Sequence, residues 1–502
     1  MTMDRSRPLL PGVNLVGFHN ALLGLGQTAR LMRRSLELAG IAHDTVTYRN
    51  SESQELFQQH LHEARGTPRY DTNLLCLNAD QLPRFARQVG AGFFAGRRNI
   101  GICFWETETL PDEHRAGLQL LDEIWVASDF IRQAVEEATD RPVRVFPHPV
   151  ARALPEVDET GIPAQLEFGE RRVFLTSFDF LSDVQRKNPA GAIEAFCRAF
   201  PLPGGIGARD PLLVIKSINA ARRPLDALTL NQQIGDRPDI RWIDGHLPPD
   251  QYAALTARAD AFLSLHRSEG FGLNLAEAMA LGTPVIATGY SGNLAFMDRD
   301  NSFLTPVHRS QVGPLSEHYP PHHHWGEPDL DCAARWLRFL CTDPGKLEAG
   351  SKAAMAKVDL HLRHSPEATA GFLIAQLSKK RRTWTSRGEE ASIPQTPYHE
   401  AKALLEEGLS AGPKPTRRAT GTFFMEIRRL GKHLLKSIKQ LEQKQKRENQ
   451  QLRAEIAKLT EMVTRLSEPG TRSATEVAIS DPGSSQTPRP QPTRTEDGIR
   501  RL

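Results

Sequence analysis

Residues 260–297 read DAFLSLHRSEGFGLNLAEAMALGTPVIATGYSGNLAFM, and this stretch decides the fold class. The apolar run at 261–265 predicts a buried strand, and a glycine-rich turn follows at 269–272. A helix is predicted over 273–281, and a second apolar run at 284–287 predicts the next strand. This strand–turn–helix–strand order is typical of parallel α/β proteins.

The turn in this unit has the chemistry of an anion site. Glycines let the backbone approach a phosphate, and the free N–H groups at a helix N-terminus point at it. Two carboxylates flank the turn, Glu269 and Glu277, with seven residues between them. Spacing alone leaves open a second interpretation, a solvated helix that carries two ordinary carboxylates.

The E-x7-E element lies within EGFGL on one side and EAMALGTPVIAT on the other. Together these strings resemble the retaining glycosyltransferases of family 4. The resemblance implies an α/β GT-B fold, in which two Rossmann-like domains face a cleft. The strings NADQLP, FWETETLP, DEIWVASDF and PHPV are similar to a bacterial subgroup often found in surface-polysaccharide gene sets. The likeness covers roughly residues 1–385.

The domain organisation follows from this resemblance and from composition. Residues 1–165 are expected to form an acceptor domain and 166–385 a nucleotide-sugar donor domain. Beyond them we predict a linker with a basic amphipathic segment at 386–430 and a coiled coil at 431–467. Pro, Ser, Thr and Arg dominate residues 468–502, which predicts a disordered tail.

The N-terminal half opens with a predicted strand at 12–18, a glycine-rich turn and a helix at 28–39. The turn is not a full GxGxxG and no acidic residue follows at ribose-binding distance, so a dinucleotide cofactor is unsupported. The resemblance implies that Gly24 and Gly26 face the cleft and meet donor phosphate or acceptor. A tight turn that needs glycine is the alternative.

Four more strands are predicted at α/β spacing, at 73–78, 99–104, 123–127 and 143–146. Ligands of parallel sheets bind beyond the carboxyl ends of the strands. Many family members carry a histidine after the strand that matches 99–104, and here Trp105-Glu106 stands in its place. Glu106 is a candidate general base or hydrogen-bond acceptor for an acceptor hydroxyl, or a helix-capping carboxylate.

In the C-terminal half, a strand at 172–178 precedes a basic pair, Arg186-Lys187, at the start of an amphipathic helix. Cations at a helix N-terminus favour an anion, and the resemblance assigns the donor diphosphate to Lys187. Family members often carry an arginine directly after this strand. Either Arg186 takes that role or one phosphate contact is missing; a solvated basic turn is the alternative. Lys216 ends another strand and is expected to face the cleft.

The resemblance also assigns roles to the E-x7-E element. Glu277 is expected to accept hydrogen bonds from the donor ribose, and Glu269 to hold sugar hydroxyls near the reacting centre. The backbone of Gly270, Phe271, Gly272 and Leu273 is expected to bind the sugar and the diphosphate. Carboxylates suit paired hydroxyls because they only accept hydrogen bonds. The nucleotide sugar is a substrate, and no cofactor is predicted.

Metal binding is not expected. The DxD strings at 298–300 and 329–331 lie in polar connections, and three consecutive histidines at 322–324 rarely converge on one ion. One departure concerns the stretch at 292–297, where the subgroup usually has an acidic residue and this chain has Ala295. At this segment the resemblance leaves donor choice and activity open.

The tail predicts partners. A heptad pattern over 435–466, with Asn449 at an a position, favours a parallel homodimer; a single amphipathic helix docked on its own domain is the alternative. Residues 414–447 hold eleven Lys and Arg against two Glu, interleaved with apolar residues, which suits an anionic membrane surface. A solvated face or nucleic-acid contact is the alternative, but we predict no nucleic-acid partner.

The cellular setting follows from the cysteines and the N-terminus. The five cysteines form no CxxC pair, and no membrane-spanning run or signal-type apolar region is seen. We therefore expect a cytoplasmic protein, and the basic segment at 414–447 favours a position at the inner face of the cytoplasmic membrane.

The favoured function is a retaining, metal-independent hexosyltransferase that acts on a glycan or lipid-linked glycan acceptor. A non-catalytic, transferase-like interaction protein and a sugar-nucleotide epimerase are the alternatives, and the E-x7-E context argues against the epimerase.

Overall fold

The computed structural model describes residues 9–21, 23–48, 68–151, 168–201 and 210–377. Residues Met1–Thr383 form one compact unit. The predicted domain boundary at 165–166 and the predicted linker, coiled coil and tail lie outside the described residues.

The first half is built on a parallel sheet of six strands in the order β2-β1-β3-β4-β5-β6. Its strands are β1 (Leu10–Gly17), β2 (His43–Thr47), β3 (Tyr70–Leu75), β4 (Arg98–Ile102), β5 (Glu123–Val126) and β6 (Val143–Val145). Its helices are α1 (Gly24–Leu38), α2 (Leu82–Val89), α3 (Arg115–Leu118) and α4 (Asp129–Glu136).

The second half is built on another parallel sheet of six strands, in the order β12-β11-β10-β7-β8-β9. Its strands are β7 (Val173–Asp179), β8 (Leu212–Ile218), β9 (Ile240–Asp244), β10 (Ala261–Ser264), β11 (Val285–Thr288) and β12 (Phe303–Thr305). Its helices are α5 (Val184–Lys187), α6 (Pro189–Ala199), α7 (Pro224–Ile234), α8 (Pro249–Arg258), α9 (Leu273–Leu281), α10 (Leu330–Leu340), α11 (Asp343–His364) and α12 (Pro366–Leu377).

The strands form where the sequence carries continuous apolar runs, because helices cover both faces of a parallel sheet. Strand β8, LLVIKSI, is buried over its first six residues. Polar side chains then fix where helices begin: Asn188 accepts from the backbone N–H of Gly191 at the start of α6, and Ser128 accepts from that of Ile131 at the start of α4.

The last two helices tie the second half back to the first. Val150 N donates to His364 O at 2.7 Å, and Thr369 Oγ1 donates to Pro147 O at 2.6 Å. Farther along α12, the ring of Phe372 lies 5.0 Å from that of Trp125, edge to face. The chain therefore returns to the first sheet.

An antiparallel hairpin, β13 (Val307–Gln311) and β14 (His324–Pro328), is added to the second half. The sequence did not predict it, because VHRSQ and HWGEP lack the apolar runs that marked the other strands. Three of the five residues of β13 are exposed, and so are several residues of the loop between the two strands. This exposure explains the polar composition.

Candidate active site

The order of each sheet locates a candidate site. In the second sheet the chain runs from β7 outward to β9 and then, from β10, outward in the opposite direction. Strands β7 and β10 are neighbours, so the loops after them meet at the point where the order reverses, which is where ligands bind in such sheets. These two loops carry Arg186-Lys187 and Glu269.

Glu269 lies in a buried ion cluster with that basic pair. Its Oε1 accepts a short hydrogen bond from Lys187 Nζ, and its Oε2 lies 3.1 Å from Arg186 Nη1. Burial alone would raise the pKa of Glu269, but the charges of Lys187 and Arg186 outweigh it and lower this pKa to about 2. The carboxylate is therefore ionised at every physiological pH.

Arg186 is only 5% exposed, so the alternative of a solvated basic turn is wrong for this residue. Its Nη1 donates to Ser268 O at 2.9 Å and its Nη2 to Ser182 O at 3.1 Å, while its buried Nε has no hydrogen-bond partner. Asp183 holds the turn: at φ 61° it accepts from Arg186 N at 3.0 Å and from Ser316 Oγ at 2.6 Å.

Glu277, on the first turns of α9, faces a different environment. Burial raises its pKa to about 7, and the positive charge of Arg30 on α1 opposes this rise only in part. The hydroxyl of Tyr252 on α8 shares the environment: burial raises its pKa to about 12, and the negative charge of Glu277 contributes. Glu277 is therefore half-buried rather than a solvated helix carboxylate, and it interacts electrostatically with α1 of the first half and α8 of the second.

The glycine-rich loop itself packs against the first half. Gly270 O accepts from Ser128 Oγ at 2.9 Å, and the Phe271 ring stacks on that of His148 at 4.5 Å. Gly272 has φ 90°, a conformation that favours glycine, and α9 begins at Leu273. At the start of α9, Leu275 N and Ala276 N donate to Gly272 O, so the N–H groups left for an anion are those of Leu273 and Asn274.

Glu106 reaches this centre from the other half. Its Oε2 accepts from Tyr319 Oη at 2.9 Å, and it acts electrostatically on both Arg186 and Lys187. Trp105 beside it is buried, with its indole N–H donating to Thr109 O at 2.7 Å and its ring 5.3 Å from that of Tyr319. Glu106 caps no helix; it bonds across the two halves.

The structure also describes the surroundings of three other residues that were predicted to bind the donor. Lys216 is buried and donates to the backbone carbonyls of Ser217 and Gly245; burial lowers its pKa to about 8. A side chain at Gly26 would overlap the carbonyls of Ala21 and Phe18. This position therefore needs glycine, which agrees with the interpretation of a tight turn. Space is open around Gly24, the first residue of α1.

In each of the two DxD strings, the first aspartate accepts hydrogen bonds from backbone N–H groups. Asp329 accepts from Cys332 N at the start of α10, and Asp298 accepts from Asp300 N and Asn301 N in a turn. Within the described part of the chain, no group of three or more His, Cys, Asp or Glu side chains could hold a metal ion. In the same residues, no helix combines the length and apolar character that a membrane span needs.

Sequence reasoning missed two residues at this centre, Tyr319 and Arg30. Tyr319 lies in the loop of the unpredicted hairpin, so nothing connected it to Glu106. Arg30 lies one turn beyond the glycine-rich loop and holds it: Nη1 donates to Ala21 O at 2.9 Å and to His19 O at 3.2 Å, and Nη2 donates to Gln27 Oε1 at 3.0 Å. An arginine just inside a glycine-rich turn was the available signal.

Comparison with known proteins agrees with this geometry. Residues 213–311 match the family model described as Glycosyl transferases group 1. A stretch of 79 residues is 38% identical to a sucrose synthase of Melioribacter roseus; it covers 14% of this chain and 10% of that protein. The match thus spans about a tenth of the curated relative.

Two crystal structures resemble the whole described fold. HepE of Anabaena, in complex with UDP and glucose, superposes with a TM-score of 0.54 at 14% identity, over 74% of this chain and all of that chain (100%). A glycosyltransferase of Rickettsia africae gives 0.51 at 12% identity, over 74% and 99%. At these identities the likeness shows the fold, which is GT-B-like with two parallel sheets.

Proposed function

We propose that this protein is a retaining glycosyltransferase that moves a hexose from a nucleotide diphosphate sugar to a glycan or lipid-linked glycan acceptor. The observation that carries the proposal is the buried cluster of Arg186, Lys187 and Glu269 at the switch point of the second sheet, beside the N-terminus of α9. Two cations and a helix N-terminus suit a diphosphate. The match to Glycosyl transferases group 1 supports the same class.

In the proposed donor complex, the diphosphate replaces Glu269 as the anion that faces Lys187. Glu269 is then free to accept hydrogen bonds from hydroxyls of the transferred sugar, and Glu277 accepts from the ribose. Gly270, Phe271, Gly272 and Leu273 contribute backbone to the sugar and diphosphate. The backbone-bound Lys216, together with Gly24 and Gly26, shapes the walls of the site.

The reaction needs no protein nucleophile. The acceptor oxygen bonds to the anomeric carbon on the face from which the diphosphate leaves. The bond from that carbon to the diphosphate oxygen breaks with its electron pair on oxygen, and the acceptor proton passes to the same oxygen. The negative charge of Glu269 stabilises the cationic sugar, and Arg186 and Lys187 stabilise the leaving group without a metal.

Glu106 completes the proposed chemistry from the acceptor side. Before the new bond forms, it accepts a hydrogen bond from the attacking hydroxyl and orients that oxygen toward the anomeric carbon. As the bond to the diphosphate breaks, the same proton leaves Glu106 and bonds to the departing oxygen. An acceptor from surface-polysaccharide biosynthesis at the inner face of the cytoplasmic membrane fits the subgroup resemblance. The basic segment at 414–447 would then hold the protein at anionic lipid, and the heptads at 435–466 would pair two copies.

The test is a donor screen. Wild-type protein is incubated with UDP-, GDP- and ADP-sugars and a p-nitrophenyl hexoside as acceptor, and NMR follows the loss of the donor and the anomeric configuration of the glycoside formed. The expected result is turnover of one donor to a product of the same anomeric configuration, lost in Glu277→Ala. Turnover that ignores this substitution, or an inverted product, would overturn the proposal.

One observation favours a second candidate, a non-catalytic interaction protein of the same fold. Ala295 stands where the subgroup has an acidic residue, in the 3-10 turn Gly292–Ala295 that contacts the glycine-rich loop. This candidate predicts that no nucleotide sugar is bound or consumed. Sedimentation of full-length protein against a chain ended at 385 tests the dimer separately, because only the paired-helix interpretation predicts a change from two copies to one.

A further inference from the structure

The hairpin of β13 and β14 contacts the first half at the segment that follows β4. In the loop between its strands, Tyr319 donates to Glu106 and His323 Nδ1 lies 2.9 Å from Thr107 Oγ1. On β13, Arg309 forms an ion pair with Glu108 at 2.7 Å. Residues 106–108 are thus each bonded to the hairpin across the two halves.

Among the hairpin residues that make these contacts, Tyr319 has the most tightly packed side chain. It is 7% exposed, and its ring lies between those of Trp105 at 5.3 Å and Trp325 at 6.5 Å. Trp105 is itself fixed, since its ring meets that of His114 at 4.7 Å. These ring contacts hold the phenol where its hydroxyl donates to Glu106 Oε2.

This leaves the second oxygen of Glu106 for a ligand. Among the described residues Tyr319 gives the one hydrogen bond recorded to Glu106, and it goes to Oε2. The side chain is half-buried and lies close enough to the Arg186–Lys187–Glu269 cluster to interact electrostatically with Lys187. One oxygen is held by Tyr319, and the other is left to accept from a ligand.

We propose that Tyr319 is a positioning residue for the transfer reaction: it fixes Glu106 so that Oε1 accepts from the attacking hydroxyl of the acceptor. This inference rests on the proposed function and assigns the hairpin a part in it. A carboxylate held on one side loses less conformational freedom when it orients a substrate hydroxyl. The acceptor class is an alcohol, a sugar hydroxyl.

The chain provides a matched control. Tyr290 Oη donates to Glu108 Oε1 at the same 2.9 Å and also joins the two halves, but Glu108 is additionally held by Arg309. Tyr290→Phe and Tyr319→Phe remove the same atom from the same type of bond. If the Tyr319 hydroxyl only joined the two halves, as that of Tyr290 does, the two variants would behave alike.

The experiment compares wild type, Tyr319→Phe, Tyr290→Phe and Glu106→Gln. Crystal structures give the position of Glu106, and kinetics use the sugar nucleotide consumed by wild type, with p-nitrophenyl hexosides as acceptors. We expect Glu106 to rotate only in Tyr319→Phe, kcat for transfer to fall about tenfold there, and donor KM to stay within about twofold. Glu106→Gln should lower kcat at least as far, and Tyr290→Phe should match wild type.

The outcomes separate the two claims. An active wild type with Glu106 unmoved in Tyr319→Phe, or with equal effects of the two Tyr→Phe changes, overturns the inference and leaves the transfer reaction in place. A fall confined to donor KM also overturns it, because positioning of the acceptor hydroxyl acts on kcat. A wild type that consumes no nucleotide sugar removes the proposed function, and the inference with it.

Discussion

Replacing Glu277 by glutamine should make the protein more stable at high pH. The pKa of this carboxyl rises from its ordinary value of 4.5 to about 7 on folding, chiefly because burial disfavours the charged form. The two values differ by about 2.5, and 1.36 kcal/mol per pKa unit gives a linkage free energy of about 3 kcal/mol. A raised acid pKa contributes stability that is complete below pH 4.5 and lost as pH rises through 7.

Other groups titrate in the same pH range, and their effect on stability has the opposite sign. Burial lowers the pKa values of His19 and His266 to about 4, so their neutral forms add stability as pH rises toward 6.5. The informative quantity is therefore the difference between Glu277→Gln and wild type at each pH. We expect it to be near zero at pH 4.5 and to reach about 3 kcal/mol in favour of the variant above pH 7.5.

The assay is urea unfolding of both proteins at half-unit steps from pH 4.5 to 8.5, followed by fluorescence. A matched variant, Glu367→Gln, changes an exposed carboxylate at the start of α12, where a negative charge suits the helix N-terminus, so it should give no gain in stability at high pH. A flat difference curve for Glu277→Gln, or one that favours wild type at high pH, would refute the reasoning about this buried carboxyl.

Three further predictions follow from the same contacts. Glu269→Gln leaves Lys187 and Arg186 without their buried anion. It should therefore raise the affinity for a nucleoside diphosphate severalfold in calorimetry and lower kcat at least a hundredfold. Weaker binding would contradict the proposal that the diphosphate replaces Glu269 beside Lys187. Gly292→Ala should cost about 1–3 kcal/mol, because its methyl group meets the carbonyl of Gly270, whereas Gly350→Ala in open space on α11 should gain about 0.5–1 kcal/mol; equal unfolding free energies would contradict this. Phe271→Leu should weaken the stack on His148 and cost about 1 kcal/mol in the same urea experiment, and an unchanged midpoint would count against that contact.

The sequence predicted the parts of the fold that rest on local signals. The apolar runs of β7, β8, β10 and β11 mark strands buried on both faces, and the structure has them within one or two residues. Helix α9 begins and ends where Gly272 and Gly282 allow left-handed backbone. These features depend on the residues nearest in the chain.

What the sequence did not predict depends on contacts between distant residues. Strand β2, HDTVT, is half-buried throughout and carries no apolar run. Helix α1 begins at Gly24, four residues before the predicted start, because its first turn packs against the backbone of Phe18 and Ala21 despite the low helix propensity of glycine.

The candidate site shows the same division. Arg186, Lys187 and Glu269 were identified from motifs, but their common burial, and the low pKa of Glu269 that results, come from the adjacency of β7 and β10. The bond from Tyr319 to Glu106 joins residues separated by 213 positions, and no local pattern links them. Only the structure shows which residues of the two halves bond to each other.

The central claim is that Arg186 and Lys187 form a diphosphate site in this cluster. Calorimetric titration of the full-length protein with UDP, GDP and ADP tests it most directly, beside Lys187→Met and a surface control, Lys346→Met. The account predicts that one nucleoside diphosphate binds wild type and Lys346→Met equally and binds Lys187→Met at least tenfold more weakly. Binding that is unaffected by Lys187→Met, or no binding of any of the three, would contradict it.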